Sequence, residues 1–567
     1  MWKKSRLRYS FSRISCSNDF DMGTMYVRQL HIKVAICLFG SINSVELERI
    51  IKPEVDNMRP SLDSFNSPSS EEYCSSWEET LQNRQLIIAS NHGPVTFHKD
   101  ENGEIQPQRS GGGGLVTALS GIAQHVDACW IASALSEEDK AWQGGVVPIG
   151  EEGGSIRVKF VTSGDAAYDG YYKVIANPLL WFLQHSMWDI FRSPTIDRTT
   201  WQNWQNGYVA VNRLFAEAVT QQILTDQRPA LVMLQDYHLY LAPYFIRRVL
   251  RPHAKYTLMH FIHIPWPGAE DWGYLPPRMR QGILEGLCAV DLVGFQTRED
   301  ALNFIRTCES HLPHAHVNFK QGRVWYRNHT TFVRDFPISI DVKSLKRLAE
   351  TEDVAEHHKS LLEQYGGNPL IVRIDRIEPS KNIVRGFLAF DELLELHPEY
   401  HGKVQFLALM VPSRMEVEEY QTYLNELMGA AGQVNAKYGD SAWEPVRVVV
   451  GENYPRAVAA LQLYDVLLVN SIADGMNLVA KEGPVVNQQQ GVLILSERTG
   501  ARQQLESGAL VIPPLDVSAT ASALHQALIM PADERKEKAE RLRSLIERED
   551  IVDWLCNQLE TIVKLGL

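Results

Sequence analysis

Short apolar runs alternate along this chain with stretches whose apolar residues recur at helical spacing. The runs at 86–89, 231–234 and 256–264 have strand character, and the segments at 115–123 and 240–250 carry the helical period. A strand–helix–strand rhythm of this kind is the signature of a parallel sheet covered by helices. After Phe336-Pro337 the rhythm restarts, with strands expected at 370–374, 404–410, 446–450, 466–469 and 492–495. The pattern predicts an α/β protein of two doubly wound, Rossmann-like lobes. Ligands of open parallel sheets lie beyond the carboxyl ends of the strands, so two such lobes facing each other would enclose a deep central cleft. A last amphipathic stretch, 551–563, is expected to cross back and brace the first lobe.

Between residues 57 and 82 the composition turns to Ser, Pro, Asn and Glu with few aliphatics, which cannot bury enough surface to fold alone. Upstream, Lys3, Lys4, Arg6, Arg8 and Arg13 lie among serines, as in a transit peptide, but the acidic Asp19 and Asp21 follow. A poorly ordered leader from an over-long start of translation is the preferred reading. The expected organisation is therefore a leader at 1–84, a first lobe at 85–338, a second at 339–550 and a closing helix at 551–567. A chain of 567 residues exceeds what one hydrophobic core serves, which agrees with two lobes. Its formal charge of -13 argues against nucleic acid and anionic membranes as partners, because both are held through phosphate neutralisation by Lys and Arg. No apolar run approaches the ~18 residues that a membrane helix needs. Seven scattered cysteines, odd in number and without a CxxC pair, point to a reducing, cytoplasmic setting. The oligomeric state is left open, a homo-oligomer included.

Four constellations carry chemistry. Arg109-Ser110 and the glycines Gly111 to Gly114 directly precede the helical segment at 115–123. Glycines let the backbone approach a ligand closely, and helix N-terminal amides attract anions, although a flexible linker before a helix would read the same. In the second lobe, Arg376 and Lys381 stand just past the strand at 370–374 with Pro379 fixing the turn between them, so both cations could clamp one diphosphate. Asp474-Gly475-Met476-Asn477-Leu478 follows the strand at 466–469, offering amides to anionic or hydroxyl groups, and Glu482 lies along the helix beyond, where it could hold ribose hydroxyls. In the first lobe, Asp236 and His263 fall at neighbouring strand ends, a carboxylate and an imidazole near one cleft. His260 and His263, three apart on a strand, would point to opposite faces, which speaks against a shared metal.

In this order the motifs resemble the trehalose-6-phosphate synthases, the family 20 glycosyltransferases, from about Ile87 to the C-terminal helix. The resemblance is carried by Ser90-Asn91, Gly113-Gly114, Tyr171-Tyr172 with Trp181 and His185, and Asp236-Tyr237-His238. It continues through His263-Ile264-Pro265, the run from Gly294 to Thr297, Arg376 with Ser380-Lys381, Ser413-Arg414, and the run from Asp474 to Glu482. It implies a GT-B fold and a retaining, metal-independent transferase without a cofactor, acting on small molecules: a nucleotide-sugar, UDP-glucose foremost, and glucose 6-phosphate. The first lobe would hold the acceptor and the second the donor. By the same resemblance Gly113, Gly114, Arg376 and Lys381 bind the donor diphosphate. Glu482 binds the ribose, and Asp474 with Met476, Asn477 and Leu478 the transferred sugar. His92, Tyr172, Asp236, Gln296 and Arg414 surround the acceptor, and His263 sits against the reacting centre. Retention would follow a front-face route, with the leaving phosphate oxygen taking the acceptor's proton.

Three departures bear on the acceptor and donor pockets. His92 stands where the family's Ser-Asn-Arg motif supplies an arginine to the acceptor phosphate, and an imidazole clamps phosphate less firmly than a guanidinium. The run Trp130-Ile131-Ala132-Ser133 lacks the family's second tryptophan. Ala473 replaces an arginine, and Glu482 is followed by Gly483-Pro484 rather than a tyrosine. The tryptophan run, the stretch from His263 to Pro267, and Pro379 to Asn382 are also similar to the validoxylamine-phosphate synthase branch. The alternatives to glucose transfer are thus a transferase with another phosphorylated acceptor, validoxylamine-phosphate-like or glucosylglycerol-phosphate-like, or a non-catalytic sugar-phosphate sensor.

Overall fold

The apolar runs assemble into two large sheets, and Val95–Lys99 pairs with Ile105–Arg109 in a small antiparallel ribbon of its own. The computed structural model describes residues 81, 83–100, 103–109, 128–149, 154–226, 228–250 and 255–567. The leader at 1–84 therefore lies outside the described residues apart from Leu81, Asn83 and Arg84, as do Gly113, Gly114 and the helix expected at 115–123.

The first sheet has ten strands, in the spatial order His316–Asn318, Arg323–Tyr326, His329–Asp335, Leu292–Phe295, Tyr256–Phe261, Ala230–Gln235, Gln85–Ala89, Ala128–Ser133, Gly154–Val161 and Gly145–Ile149. From His329–Asp335 to Gly154–Val161 neighbours run parallel, and antiparallel strands finish both edges. These antiparallel edges are absent from the sequence reading: the short, half-exposed strands His316–Asn318 and Arg323–Tyr326 lack the continuous apolar run that marked the others. The central strands Gln85–Ala89 and Ala230–Gln235 are buried at every position, because both faces are covered. Ile87 and Ala89 enter one apolar cluster, Leu86 and Ile88 the other, as the period of two requires.

The second sheet has six strands, all parallel: Val446–Val450, Gln405–Val411, Leu370–Arg376, Val466–Val469, Val492–Ser496 and Leu510–Ile512. Chain order reverses on either side of Leu370–Arg376, so the loop that follows this strand opens at a topological switch point.

Between the first and second sheets the chain passes through Phe336 to Asp341, and the Asp341 carboxylate caps the helix Val342–Ala349 by accepting from Ser344 N. The final helix, Ile551–Lys564, opens with a reciprocal cap between Asp550 and Asp553. It docks on that connection: Trp554 Nε1 donates to Phe336 O (3.0 Å) and Ile551 N to Ile340 O (3.1 Å). The Trp554 ring also meets Phe261 of the first sheet edge-on at 5.1 Å.

One local feature is invisible in the apolar pattern. Gly170–Trp181 forms a wide π-helix with Pro178 inside it, packed against a second π-helical turn, Trp204–Val209. The two meet at glycines, since a Cβ on Gly207 would stand 2.6 Å from Tyr171 N and one on Gly170 would stand 2.7 Å from Asn203 Oδ1. That close approach fixes the side of the helix from which Tyr172 projects. π-helical turns of this kind occur mostly at functional sites.

Candidate active site

The polar motifs leave both sheets at the carboxyl ends of parallel strands. His92, Asp236, His263 and Gln296 follow Gln85–Ala89, Ala230–Gln235, Tyr256–Phe261 and Leu292–Phe295; Lys381, Arg414 and Asp474 follow Leu370–Arg376, Gln405–Val411 and Val466–Val469. The two sets meet. A Cβ on Gly475 would stand 1.9 Å from the His263 carbonyl oxygen, so the second lobe's loop touches the first lobe's strand end backbone to backbone. Arg414 Nη2 reaches Tyr237 OH at 3.4 Å, and its guanidinium lies 5.3 Å over the Trp181 ring.

On the second-lobe side the cations are paired with carboxylates. Lys381 Nζ contacts Asp474 Oδ2 at 2.5 Å, and that oxygen also accepts from Asn477 Nδ2 (3.0 Å) and Ser471 Oγ (3.3 Å). Burial alone would lower the Lys381 ammonium, but Asp474 and Asp375 outweigh it and hold it above its ordinary value. Burial likewise opposes ionisation of Asp474, yet Lys381 keeps this carboxyl below the usual range. Arg376, half exposed, pairs with Glu378 Oε1 at 3.2 Å. The same oxygen accepts from Arg414 Nη1 (2.7 Å) and Ser413 Oγ (3.0 Å). Glu378 itself is wholly buried. Burial would raise its acid, but Arg376, Arg414 and Lys381 hold it down at about 2. The two cations that could clamp a diphosphate thus sit in a charge-matched cluster rather than an open cationic pocket.

Asn477 takes a left-handed backbone (φ 71°), and its Oδ1 accepts from Ala480 N. The helix beyond is Val479–Val486, so Met476, Asn477 and Leu478 precede it instead of opening it. Met476 is 4% exposed and packs in the core, which leaves its backbone as the part able to meet a ligand. Glu482 accepts from Tyr454 OH at 3.1 Å, with burial raising its carboxyl.

On the first-lobe side Asp236 has φ 66° and ψ 176°, a combination open in practice to glycine alone. The backbone is over-determined around it: Asp236 N donates to Phe261 O (2.7 Å), and its own carbonyl receives His260 Nε2 (2.9 Å). Strain of this kind, worth roughly 1–3 kcal/mol, is kept where a side chain must be aimed. Burial pushes the Asp236 carboxyl up to about 6, against the opposing pull of the Tyr237 and His263 amides and of Arg414 and Arg376. His92 is exposed on the cleft wall, edge-on to Tyr172 at 6.0 Å. Tyr172 stacks between Tyr168 and His238. The protein packed around the cleft, then Arg414 and Arg376, hold the His92 imidazole below its ordinary value.

Two sequence-derived roles change. The strand Tyr256–Phe261 ends before His263, so the alternation argument that set it opposite His260 does not apply. The His263 ring is spoken for on both sides: Nε2 lies 3.0 Å from Gln235 Oε1, and Nδ1 lies 3.5 Å from Gln296 Nε2. Burial pushes it down to about 3, a neutral ring. What His263 offers the cleft is its backbone against Gly475. Gln296, read as an acceptor contact, is 2% exposed, and its Oε1 accepts from Ile338 N at 2.9 Å. It braces His263 and the inter-lobe connection from behind, because both ends of its amide are already bonded. Conversely, Glu378, Tyr237 and Tyr420 all meet the Arg414 guanidinium, Tyr420 OH accepting from its Nη1 at 3.1 Å, and were not singled out as ligands. Glu378 lies between Arg376 and Lys381 in the sequence, which was the available signal. Tyr420 gave none.

A family model described as glycosyltransferase family 20 matches residues 84–564. The chain belongs to that family. This family 20 chain is 32% identical over 482 residues to a UDP-forming alpha,alpha-trehalose-phosphate synthase of Schizosaccharomyces pombe, covering 84% of this chain and 90% of that one. It is 31% identical to a synthase of the same description, A, from Dictyostelium discoideum, spanning 62% of that longer protein, and 33% identical to a bifunctional trehalose-6-phosphate synthase/phosphatase of Thermoproteus tenax, again 62% of its length. A solved E. coli structure described as bound with UDP-2-fluoro glucose superposes with a TM-score of 0.71 at 26% identity, covering 85% of this chain and 98% of that one. A Burkholderia xenovorans synthase in complex with glucose-6-phosphate gives 0.71 at 25%, covering 84% and 99%. The two facing Rossmann-like lobes are therefore of GT-B type, and the protein is a glycosyltransferase. Among the described residues no helix is long and apolar enough to cross a membrane.

Proposed function

We propose that this glycosyltransferase moves glucose from UDP-glucose to glucose 6-phosphate with retention, giving trehalose 6-phosphate and UDP. The observation that carries the reading is the convergence on one cleft of the Arg376–Lys381 cluster from one lobe and Asp236, His92 and Tyr172 from the other, with Arg414 spanning both. Arg376 and Lys381 would take the charge that develops on the departing diphosphate, and preorganised cations of this kind are worth far more in a closed site than in water. The bond between the sugar's anomeric carbon and UDP breaks, the acceptor oxygen bonds to that carbon, and its proton passes to the leaving phosphate oxygen. His263 is not the base, since both ring nitrogens are engaged. Asp236 is aimed to receive sugar hydroxyls, and the remaining task of the protein is to hold both partners in line. The cytoplasm is the proposed compartment, in keeping with Cys288 and Cys308, which are buried with their sulfurs 3.8 Å apart and are not joined in a disulfide.

Purified protein incubated with UDP-glucose and glucose 6-phosphate is expected to release UDP and an α,α-linked disaccharide phosphate, identified by mass and anomeric coupling. UDP-glucose left intact in the presence of glucose 6-phosphate and of other phosphosugars would overturn the reading. Because the proposed diphosphate clamp consists of side-chain cations, dialysis against EDTA is expected to leave turnover within about two-fold. A loss restored by magnesium would contradict it.

Asp236 supplies a pH dependence. Its folded acid, raised to about 6, binds a proton that the unfolded chain has released, so its stabilising contribution is complete at low pH and is lost as pH rises through 6. Acceptor binding needs the opposite, ionised form. kcat/KM for glucose 6-phosphate is therefore expected to fall below about pH 6, and Asp236→Asn to lower activity and remove the part of that limb not due to the substrate's own phosphate. Identical profiles for the two proteins would exclude Asp236 as the titrating group.

His92 supplies another prediction. His92→Arg, adding a permanent cation beside Arg414, is expected to lower KM for glucose 6-phosphate several-fold with UDP-glucose KM little changed. An unchanged or higher KM would show that the phosphate does not reach this wall.

A further inference from the structure

Among the described residues Glu378 is the one carboxylate that forms salt bridges with cations assigned to two different substrates. Its Oε1 receives Arg376 at 3.2 Å, Arg414 at 2.7 Å and Ser413 at 3.0 Å, while Oε2, equally buried, has no hydrogen-bond partner. A carboxylate kept for stability alone normally satisfies both oxygens, because a dry lone pair is costly to bury. Here every donor converges on one atom. The geometry orders two guanidiniums about a common point instead of saturating an anion. Arg376 hangs at the end of the strand Leu370–Arg376, half exposed, and Arg414 sits on a left-handed backbone (φ 47°) at the far side. Nothing else described holds the Arg376 guanidinium in a salt bridge. Arg414 has Tyr420, Tyr237 and the Trp181 face besides.

We propose that Glu378 is a positioning residue common to both substrate sites, orienting Arg376 towards the donor diphosphate and Arg414 towards the acceptor phosphate while its own charge opposes both anions. The inference rests on the donor and acceptor assignments made above. Its physical content is a trade between ground-state binding and geometry. A buried negative charge between the two cations weakens the hold on each phosphate before reaction, since like charges at such distances repel strongly where solvent screening is poor. The same charge keeps the two guanidiniums from repelling one another out of line. Binding that is uniform through the reaction does not speed it, whereas an interaction realised at the departing diphosphate does. Glu378 thus gives up affinity for orientation.

The test is steady-state kinetics with both substrates for the wild type and Glu378→Gln, together with calorimetric titration of UDP. The expected result is a split: kcat falls about ten- to a hundred-fold, KM for both UDP-glucose and glucose 6-phosphate falls several-fold, and UDP binds more tightly. A merely structural role would raise both KM values with the loss of kcat, and that result, or kinetics unchanged from wild type, would overturn the proposal. Should Glu378→Gln fail to fold, Glu378→Asp keeps the charge on an arm one methylene shorter; kcat is then expected to fall with KM values unchanged, and an unaltered kcat overturns the proposal. Arg376→Ala and Arg414→Ala, measured beside it, separate this inference from the assignments it rests on. If the first does not weaken UDP binding, or the second does not raise KM for glucose 6-phosphate, the substrate assignments fail whatever Glu378→Gln does.

Discussion

Arg376→Ala and Lys381→Ala are each expected to lower kcat/KM for UDP-glucose by about 10²–10³-fold, the loss that follows removal of one preorganised group from a developing oxyanion. Their effects on stability should differ, and the difference is the more telling measurement. Arg376 is half exposed, and Glu378 keeps Arg414 and Ser413 when it goes. Its loss is therefore expected to move the melting temperature by no more than a few degrees. Lys381 is buried, and its removal leaves Asp474 as an uncompensated buried charge held only by Asn477 and Ser471. Breaking such a pair from one side costs about 3–5 kcal/mol, a drop in melting temperature well beyond that of Arg376→Ala. Turnover within a few-fold of wild type for either variant would remove that residue from the diphosphate clamp. Equal melting temperatures would show that Lys381 and Asp474 are not the pair described.

Gly475→Ala is expected to cost at least about a hundred-fold in kcat without changing any residue that carries charge. The added carbon would lie 1.9 Å from the His263 carbonyl oxygen and 2.9 Å from its carbon, and neither backbone atom can rotate away as a side-chain tip would. Gly500 packs in turn on Gly475, with a Cβ there 1.8 Å from the Gly475 oxygen, so the loop cannot retreat in that direction without a second clash. The loop of the second lobe must then move off the first lobe's strand end by about an ångström, and a misplacement of that size between reacting partners is worth about a hundred-fold in rate. Circular dichroism should show both lobes folded. A kcat within three-fold of wild type would mean that the contact between Gly475 and His263 is not part of the reacting arrangement.

The legible part of the protein was the part written in short-range patterns. Val446–Val450 and Val466–Val469 have the bounds the apolar runs gave them, and other strands moved by one to three residues; a strand buried on both faces, such as Val466–Val469, is a continuous apolar run and needs no partner to be recognised. The antiparallel edge strands and the π-helix Gly170–Trp181 were not legible. His316–Asn318 and Arg323–Tyr326 mix polar with apolar residues, Gly145–Ile149 contains a glycine and a proline, and a π-helix is selected by what packs beside it, here the glycine contacts with Trp204–Val209. At the site, the residue types at strand ends could be listed from the motifs, but their hydrogen-bond partners could not. Gln296 and His263 were read as facing the substrates, and their distant partners, Ile338 and Gln235, turn them into supports.

By itself, then, the chain determined the two-lobed α/β plan and which loops bear cations, carboxylates and glycines, since burial periodicity and turn chemistry act over a few residues. Only the tertiary structure decided that Arg376 and Arg414 share Glu378, that Lys381 is held by Asp474, and that Gly475 rests on His263. Those pairings join positions from two to more than two hundred apart in the sequence. Charge and contact depend on distance in space, and that distance exists only once the two sheets have set their strand ends against each other.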